Sequence, residues 1–278
     1  MARKEVTVAL SADAGDEVFA GYNRYDVMMN QGDKIRRTPA FLRKPVSGMM
    51  GLLNPERLPY FNNKRNFSGR YAKLKTLLKD PSDFNVMWSL STQFTEKEWN
   101  NLFMSKPETL DTRYTNTDLK PGSYSSLSYI MAMDYQTYLP DDILQKVDRA
   151  SMSVSLESRE PYLDHRLIEW VAQLPDHFKY NKGIKKYLLK EITHKHIPKS
   201  MMERPKMGFA IPIDKWMRNE LKDKLLYYLD ENKVKDQGIF NPLAVKRLLD
   251  NFMERKGESG VKIWYLLMFQ MWYEKWME

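Results

Sequence analysis

The pattern of apolar and polar positions begins with one short strand-like run and is helical almost everywhere after it. Residues 6–10 are apolar and largely β-branched, which is typical of a buried strand. Residues 11–15 are small and predict a tight turn, and residues 16 to about 31 predict a helix with two acids in its first turn. The chain therefore opens as strand, acidic loop and helix.

The rest of the chain shows almost no strand pattern. Residues 38–70 and 105–123 predict short helices and loops, residues 80–104 carry a helical segment, and helices dominate after residue 125. A fully apolar strand predicts a parallel sheet covered on both faces, yet no partner strand is evident downstream. We therefore expect the partners to lie upstream, and the chain to be a truncated, mostly α fragment with one remnant parallel strand at its N-terminus.

Composition narrows the classes of protein only slightly. The 278 residues are 42% hydrophobic and 29% charged and include no cysteine, which excludes disulfides and Cys-based zinc or nucleophile sites within them. The net charge of +8 suits polyphosphate or acidic substrates. The basic residues are spread along the chain, so we expect no nucleic-acid partner. Charged residues interrupt the apolar stretch 261–277, and no signal-peptide layout precedes residue 6, so we expect no membrane span and a cytoplasmic location.

The loop at residues 11–17 is the first candidate for chemistry. It follows the carboxyl end of the predicted strand, where ligands bind open α/β sheets. Ser11 offers a hydroxyl, and Asp13 and Asp16 offer carboxylates of the kind that Mg²⁺ shares with phosphates. The structural alternative is that Asp13 serves the turn and that Asp16 complements the helix dipole.

Three further segments carry candidate residues, each with a structural alternative. Residues 139–151 include acidic and basic side chains, but a solvated surface helix explains them as well. Residues 183–191 place a lysine at the start of a helix. Its positive charge interacts unfavourably with the helix dipole there unless the lysine binds an anion. Residues 203–209 are a basic loop that either clamps phosphate or connects helices. The four histidines form no metal-binding pattern.

Taken in order, these segments resemble one family. Residues 11–22, Ser-Ala-Asp-Ala-Gly-Asp-Glu-Val-Phe-Ala-Gly-Tyr, resemble the Ser-Gly-(Asp/Glu)-Gly-(Gly/Ser)-Asp-Glu-(Leu/Val)-Phe-Gly-Gly-Tyr motif of glutamine-dependent asparagine synthetases. Residues 139–149, followed by residues 155–164, are similar to the family's next signature. Residues 186–190 and 204–209 match two more, and the resemblance covers nearly the whole chain.

The resemblance implies a fold and a reaction. The fold would be the C-terminal part of an adenine-nucleotide α-hydrolase-like (ATP pyrophosphatase) synthetase domain. Residues 1–278 would be a single domain fragment, with 1–37 ending the α/β core, 38–123 an insertion of helices and loops, and 124–278 the helical C-terminal part. ATP would activate the aspartate side chain as β-aspartyl-AMP, and ammonia from glutamine would displace AMP.

The resemblance also implies roles for individual residues. Ser11 and Ala12 would contact ATP or the acyl-adenylate, and Asp13 would act on the intermediate as a catalytic residue. Asp16 would help to hold Mg²⁺, and Lys186 would stabilise charge on the pyrophosphate leaving group. Further phosphate or substrate contacts would come from Asp148, Arg149, Arg159, Arg204 and Lys206.

The chain departs from the family pattern in two ways. Ala12, Ala14 and Ala20 stand where glycine is usual, so either these backbones are conventional or the loop is altered. The Ser-Gly-Gly-x-Asp-Ser pyrophosphate loop and the cysteine-led glutaminase domain are missing, and we expect them in cis or in trans. We expect the 278 residues alone to bind ATP weakly and to turn nothing over.

Two other functions stay open from sequence. One is a related amide ligase that acts on another acid, such as a sugar uronic acid. The other is a non-catalytic helical domain that serves a partner, for which the three alanines are the only support. The sequence leaves the oligomeric state open, a homodimer included.

Overall fold

The computed structural model describes most of the chain, and the described residues are mostly helical. Described are residues 1–53, 67–108, 111–115, 118–119, 124–202, 211–256 and 258–277. They divide into two compact units. The first consists of Met1–Thr38, Pro81–Leu90 and Leu110–Lys206, and the second of Pro39–Asp80, Ser91–Thr109 and Met207–Glu278. The division of the sequence at residues 38 and 124 stays a prediction.

The first unit holds four short strands and most of the short helices. Its strands are β1 (Val8–Leu10), β2 (Glu157–Arg159), β3 (Tyr180–Asn181) and β4 (Ile184–Lys185). The helices are numbered in chain order through both units, so the numbers within one unit are not consecutive. Those of the first unit are α1 (Gly15–Val18), α2 (Asn23–Asp26), α3 (Asp33–Arg37), α6 (Asp83–Ser91), α8 (Ser126–Gln136), α9 (Gln145–Met152), α10 (His165–Gln173), α11 (Asp176–Lys179), α12 (Tyr187–Thr193) and α13 (Lys199–Met202). Two stretches of π-helix, Val27–Gly32 and Leu139–Leu144, run directly into α3 and α9.

The strand at the start of the chain has a partner inside the chain. β1 pairs in parallel with β2, with Val8 opposite Glu157 and Leu10 opposite Arg159. The expectation of one remnant strand, with partners only upstream, was therefore wrong. So was the expectation of full burial, because Leu10 is 75% exposed. β2 was missed because its sequence, Glu-Ser-Arg, has no apolar position, and only its backbone joins the ladder.

A tight hairpin joins β3 to β4. The two strands are antiparallel, with Tyr180 opposite Lys185. The turn between them has Lys182 at φ 49° and Gly183 at φ 89°. Positive φ at both central residues is the pattern of a type I′ turn, which matches the twist of the flanking strands. This hairpin also disproves the expectation of a single strand.

The helix predicted for residues 16 to about 31 is broken. α1 ends at Val18, and helical structure resumes at Asn23 and then runs to Arg37. Ala20 between them lies at φ 57°, which an α-helix cannot accommodate. The sequence predicted helical structure here but not this break.

The described part of the second unit is helical, and its C-terminal helices pack around an apolar core. Its helices are α4 (Ala40–Leu52), α5 (Phe67–Lys79), α7 (Glu96–Leu102), α14 (Ile213–Arg218), α15 (Lys222–Tyr228), α16 (Glu231–Gln237), α17 (Pro242–Met253) and α18 (Gly260–Trp276). Ile263 and Leu266 of α18 lie in the core, which confirms a half-buried helix in the apolar stretch 261–277. Asn241 caps α17 as predicted, since its Oδ1 accepts from the backbone N–H groups of Leu243 and Ala244. Within the described ranges, no helix combines the length and apolarity that crossing a bilayer requires.

Candidate functional site

The loop between β1 and α1 forms a polar site at the carboxyl ends of the two parallel strands. The backbone N–H of Ser11 donates to the carbonyl of Arg159 at 2.9 Å and so extends the strand pairing by one residue. The Ser11 hydroxyl donates to Asp13 Oδ2 at 2.5 Å. The structure therefore brings together the hydroxyl and one of the two carboxylates that the sequence singled out.

An ion pair joins the second carboxylate to the predicted lysine. Lys186 Nζ lies 3.0 Å from Asp16 Oδ1, and the two side chains are 31% and 26% exposed. Lys186 precedes α12 in the left-handed conformation at φ 52°, and its backbone N–H donates to the Phe19 carbonyl at 3.1 Å. The β3–β4 hairpin thus delivers a lysine to α1 across more than 160 residues of chain.

Two glycines allow this close approach. A Cβ on Gly21 would lie 1.8 Å from Asp16 Oδ1 and 2.3 Å from Lys186 Cε, so a larger residue there would displace at least one side chain of the ion pair. A Cβ on Gly15 would lie 3.1 Å from the Tyr162 ring. Gly21 was not among the site residues predicted from the sequence, although its place in the family motif could have indicated it.

The three alanines in glycine positions do not behave alike. Ala14 lies at φ 69° and Ala20 at φ 57°, both in the left-handed region, whereas Ala12 has a conventional backbone. Of the two alternatives left open by the sequence, a conventional backbone therefore applies to Ala12 but not to Ala14 and Ala20. A left-handed alanine costs about 1–2 kcal/mol, and burial of both methyl groups offsets part of that cost.

A buried polar network lies directly beside the loop. The Tyr22 hydroxyl donates to Glu17 Oε1 at 2.5 Å. Arg24 Nε lies 2.9 Å from Asp134 Oδ2, and the guanidinium carbon is 4.8 Å from the Tyr22 ring centre and 4.5 Å from that of Tyr138. Cation–π contacts and the carboxylate together hold Arg24 in place. The network was missed because residues 24 and 134 are brought together only by the fold.

The pKa of Asp134 provides a test of this network. Burial raises its pKa from 3.8 to about 6, although Arg24 acts in the opposite direction. The folded state therefore holds the proton more tightly than the unfolded state, and Asp134 contributes less stability as pH rises from about 4 to about 6.

We expect Asp134→Asn to remove this pH dependence. The difference in the free energy of unfolding, native chain minus variant, should fall by at most about 3 kcal/mol between pH 4 and pH 6. Above that pH range the difference should stay constant. Urea denaturation of both chains at several pH values measures this difference. A difference that grows with pH would mean that Arg24 keeps Asp134 ionised.

The remaining predicted residues are not drawn into this cluster. Asp148 and Arg149 are exposed on α9, and across the described residues no ion pair joins either of them to the loop. The Arg159 side chain is exposed and pairs with Glu157 at 2.6 Å. Arg204 and Lys206 lie outside the described residues. Phosphate or substrate contacts by these five stay predictions.

The donor set of the loop suits a shared cation rather than a closed metal site. In the part of the chain that the structure describes, no group of three or more His, Cys, Asp or Glu side chains is placed to hold a metal ion. Mg²⁺ is usually bound by one or two carboxylates, with substrate phosphates and water as further ligands. Asp13 and Asp16 supply carboxylates of that kind, and Lys186 beside Asp16 adds a cation for an anionic ligand.

The chain belongs to the asparagine synthase family, because the model of that family matches residues 1–274. Among curated proteins it is similar to asparagine synthetase [glutamine-hydrolyzing] 1 of Bacillus subtilis, with 29% identity over 98% of this chain and 41% of the relative. It is also similar to a putative asparagine synthetase [glutamine-hydrolyzing] of Mycobacterium tuberculosis, with 28% identity over 100% of this chain and 40% of the relative. The chain thus spans about two fifths of the length of these relatives. No solved structure matches it.

Proposed function

We propose that the complete protein containing this chain makes asparagine by ATP-dependent amidation of aspartate. The observation that carries the proposal is the ion pair between Lys186 and Asp16, formed beside the Ser11–Asp13 hydrogen bond in a chain of the asparagine synthase family. It places a cation and two carboxylates at the carboxyl ends of parallel strands, where a nucleotide would lie.

In the proposed reaction each of these groups has a task. Lys186 stabilises the negative charge that builds on the pyrophosphate when the aspartate side-chain carboxylate attacks the α-phosphorus of ATP. Ser11 and Ala12 contact the nucleotide or the β-aspartyl-AMP that results. Asp13, held by the Ser11 hydroxyl, takes a proton as ammonia attacks the acyl carbon and AMP leaves.

A magnesium ion fits this site as a cation that the protein and the substrate would hold together. Asp16 and the phosphate oxygens of ATP would hold it, and it would neutralise charge on the phosphates when bound. The ammonia would come from glutamine through a glutaminase domain, and a cysteine-led domain of that kind is not contained in these cysteine-free residues. A cytoplasmic location is part of the same proposal.

The test is exchange of labelled pyrophosphate into ATP by the complete gene product, with magnesium and one acid at a time. We expect exchange with aspartate and none above background with glucuronate, because adenylation of the acid is the step that makes exchange possible. Exchange with glucuronate alone would favour an amide ligase for another acid. An absence of exchange with every acid would contradict the proposal.

A further inference from the structure

A cavity of about 240 Å³ lies within the first unit, between α1, α8, α10 and α11. Its volume is that of about eight water molecules in the liquid. Most of its wall is apolar and includes Val18, Met131, Ala132, Ile168, Val171 and Ala172. Such a wall offers few of the polar partners that enclosed water needs, so the space favours a hydrocarbon group.

A buried lysine lines this cavity. Lys179, the last residue of α11, is only 2% exposed. In the described part of the chain, its ammonium group has neither an ion-pair partner nor a hydrogen-bond acceptor. Lysine is almost never fully buried without a partner, because its charge loses hydration and gains nothing in return. Burial accordingly lowers the pKa of Lys179.

The carboxylate one turn earlier in α11 is engaged elsewhere. Asp176 acts against the lowering of the Lys179 pKa, so its charge is felt at the ammonium. Its Oδ1, however, accepts hydrogen bonds from the hydroxyls of Ser125 at 3.0 Å and Ser128 at 3.4 Å, at the start of α8. Asp176 therefore fastens α11 to α8 and leaves Lys179 without a contacting counter-charge.

Glu17 is a second polar residue of the cavity wall, and it is independent of the lysine. Its carboxyl group accepts a hydrogen bond from the Tyr22 hydroxyl. The pKa of Lys179 responds to burial and to Asp176, and the charge of Glu17 has no part in it. Two charges in contact would shift each other's pKa, so an anion can pair with Lys179 without contacting Glu17.

The group that would complete this cavity is an anion carried on a short hydrocarbon chain. A carboxylate would accept a charge-assisted hydrogen bond from the ammonium, and such bonds are strong in surroundings of low dielectric constant. The hydrocarbon chain would cover the apolar wall, as in other pockets that combine apolar surface with a few placed polar groups. A neutral ligand would leave Lys179 unpaired, and a cation would add a second positive charge.

We propose that this cavity binds an apolar monocarboxylate of about six carbon atoms, with its carboxylate against Lys179 Nζ and its chain against α8 and α10. Hexanoate fits the volume, because it has about as many non-hydrogen atoms as the cavity holds water molecules. The site is separate from the β1–α1 loop, since neither Asp16 nor Lys186 is part of its wall. The proposal does not rest on the ligase reaction.

The test is calorimetric titration of the 278-residue chain with hexanoate, hexan-1-ol and hexylamine. We expect hexanoate to bind saturably and at least about tenfold more tightly than either analogue, because only the carboxylate pairs with the ammonium. From butanoate to hexanoate, affinity should rise about fourfold for each added methylene group. Longer chains exceed the cavity, so the increase should stop soon after hexanoate.

A variant of the lysine separates charge from fold. Lys179→Met should bind hexanoate at least about tenfold more weakly than the native chain and hexan-1-ol about equally well. Binding of the alcohol shows in the same experiment that the variant is folded and that its cavity is intact. Lys195→Met removes an exposed lysine of the same unit and should leave both affinities unchanged.

A second variant tests the cavity with the lysine kept. Ala132→Leu places a larger side chain in the wall and should abolish binding of hexanoate, which tests the site even if Lys179→Met does not fold. No binding of hexanoate to the native chain, or hexylamine binding as tightly as hexanoate, would overturn the proposal. So would full binding of hexanoate by Ala132→Leu, or an affinity that keeps rising with chain length up to dodecanoate, which indicates adsorption to the surface.

Discussion

Lys186→Ala in the complete gene product is expected to lower aspartate-dependent pyrophosphate release by about 10²–10³-fold, the usual effect of removing one group that stabilises transition-state charge. Lys186 Nζ lies 3.0 Å from Asp16 Oδ1, and the Lys186 side chain is still 31% exposed, so a phosphate can reach it. Release of pyrophosphate is measured directly with a coupled assay. Hydrolysis of glutamine, which does not involve this lysine, should survive in the same preparation.

The neighbouring lysine provides the control for this prediction. Lys185 Nζ pairs with Asp26 Oδ2 at 2.7 Å, away from the β1–α1 loop. Lys185→Ala therefore removes one charge from the same hairpin without removing a group from the site. Equal rates of pyrophosphate release in Lys185→Ala and Lys186→Ala would refute the role assigned to Lys186.

The local part of the site was predictable from the sequence. An apolar run followed by small and acidic residues predicts a strand and a loop, and the structure has both at β1 and at residues 11–14. The hydrogen bond from Ser11 to Asp13 spans two residues and is also local. Such features depend on turn chemistry and capping, which short-range sequence encodes directly.

The non-local part was not predictable by the same means. β2 is Glu-Ser-Arg and joins β1 through backbone groups that every residue has, so no side-chain pattern marks it. The family motif suggested Lys186 as a site residue, but its partner Asp16 lies 170 positions earlier and no periodicity connects them. The pairing of Arg24 with Asp134 is likewise a product of the fold.

The left-handed alanines illustrate how packing overrides a local preference. Ala14 and Ala20 keep positive φ although glycine would adopt it without strain. Both methyl groups are buried, and Ala14 packs in the same apolar cluster as Val18 and Phe19. Burial of a methyl-sized group contributes about 0.8 kcal/mol, which offsets part of a strain of about 1–2 kcal/mol, so the local preference for glycine does not exclude alanine at these positions.

Gly21→Ala is expected to separate Asp16 from Lys186. The new Cβ would lie 1.8 Å from Asp16 Oδ1 and 2.3 Å from Lys186 Cε, so at least one of these side chains must move. Because both contacts are to the ends of flexible, partly exposed side chains, we expect the free energy of unfolding to fall by at most about 1 kcal/mol, the usual contribution of such an ion pair. Because a misplacement of about 1 Å can cost 10²-fold in rate, pyrophosphate release should fall with it.

A second glycine in the chain shows whether the effect comes from the contact or from the added methyl group. Gly48 lies exposed within α4, and a Cβ there meets nothing within 4 Å. Gly48→Ala should therefore raise the free energy of unfolding by about 0.5–1 kcal/mol, since alanine loses less conformational entropy in a helix. Thermal and urea denaturation of both variants give the comparison. If Gly21→Ala released pyrophosphate as fast as the native protein, the ion pair between Asp16 and Lys186 would not be the feature that positions Lys186 for catalysis.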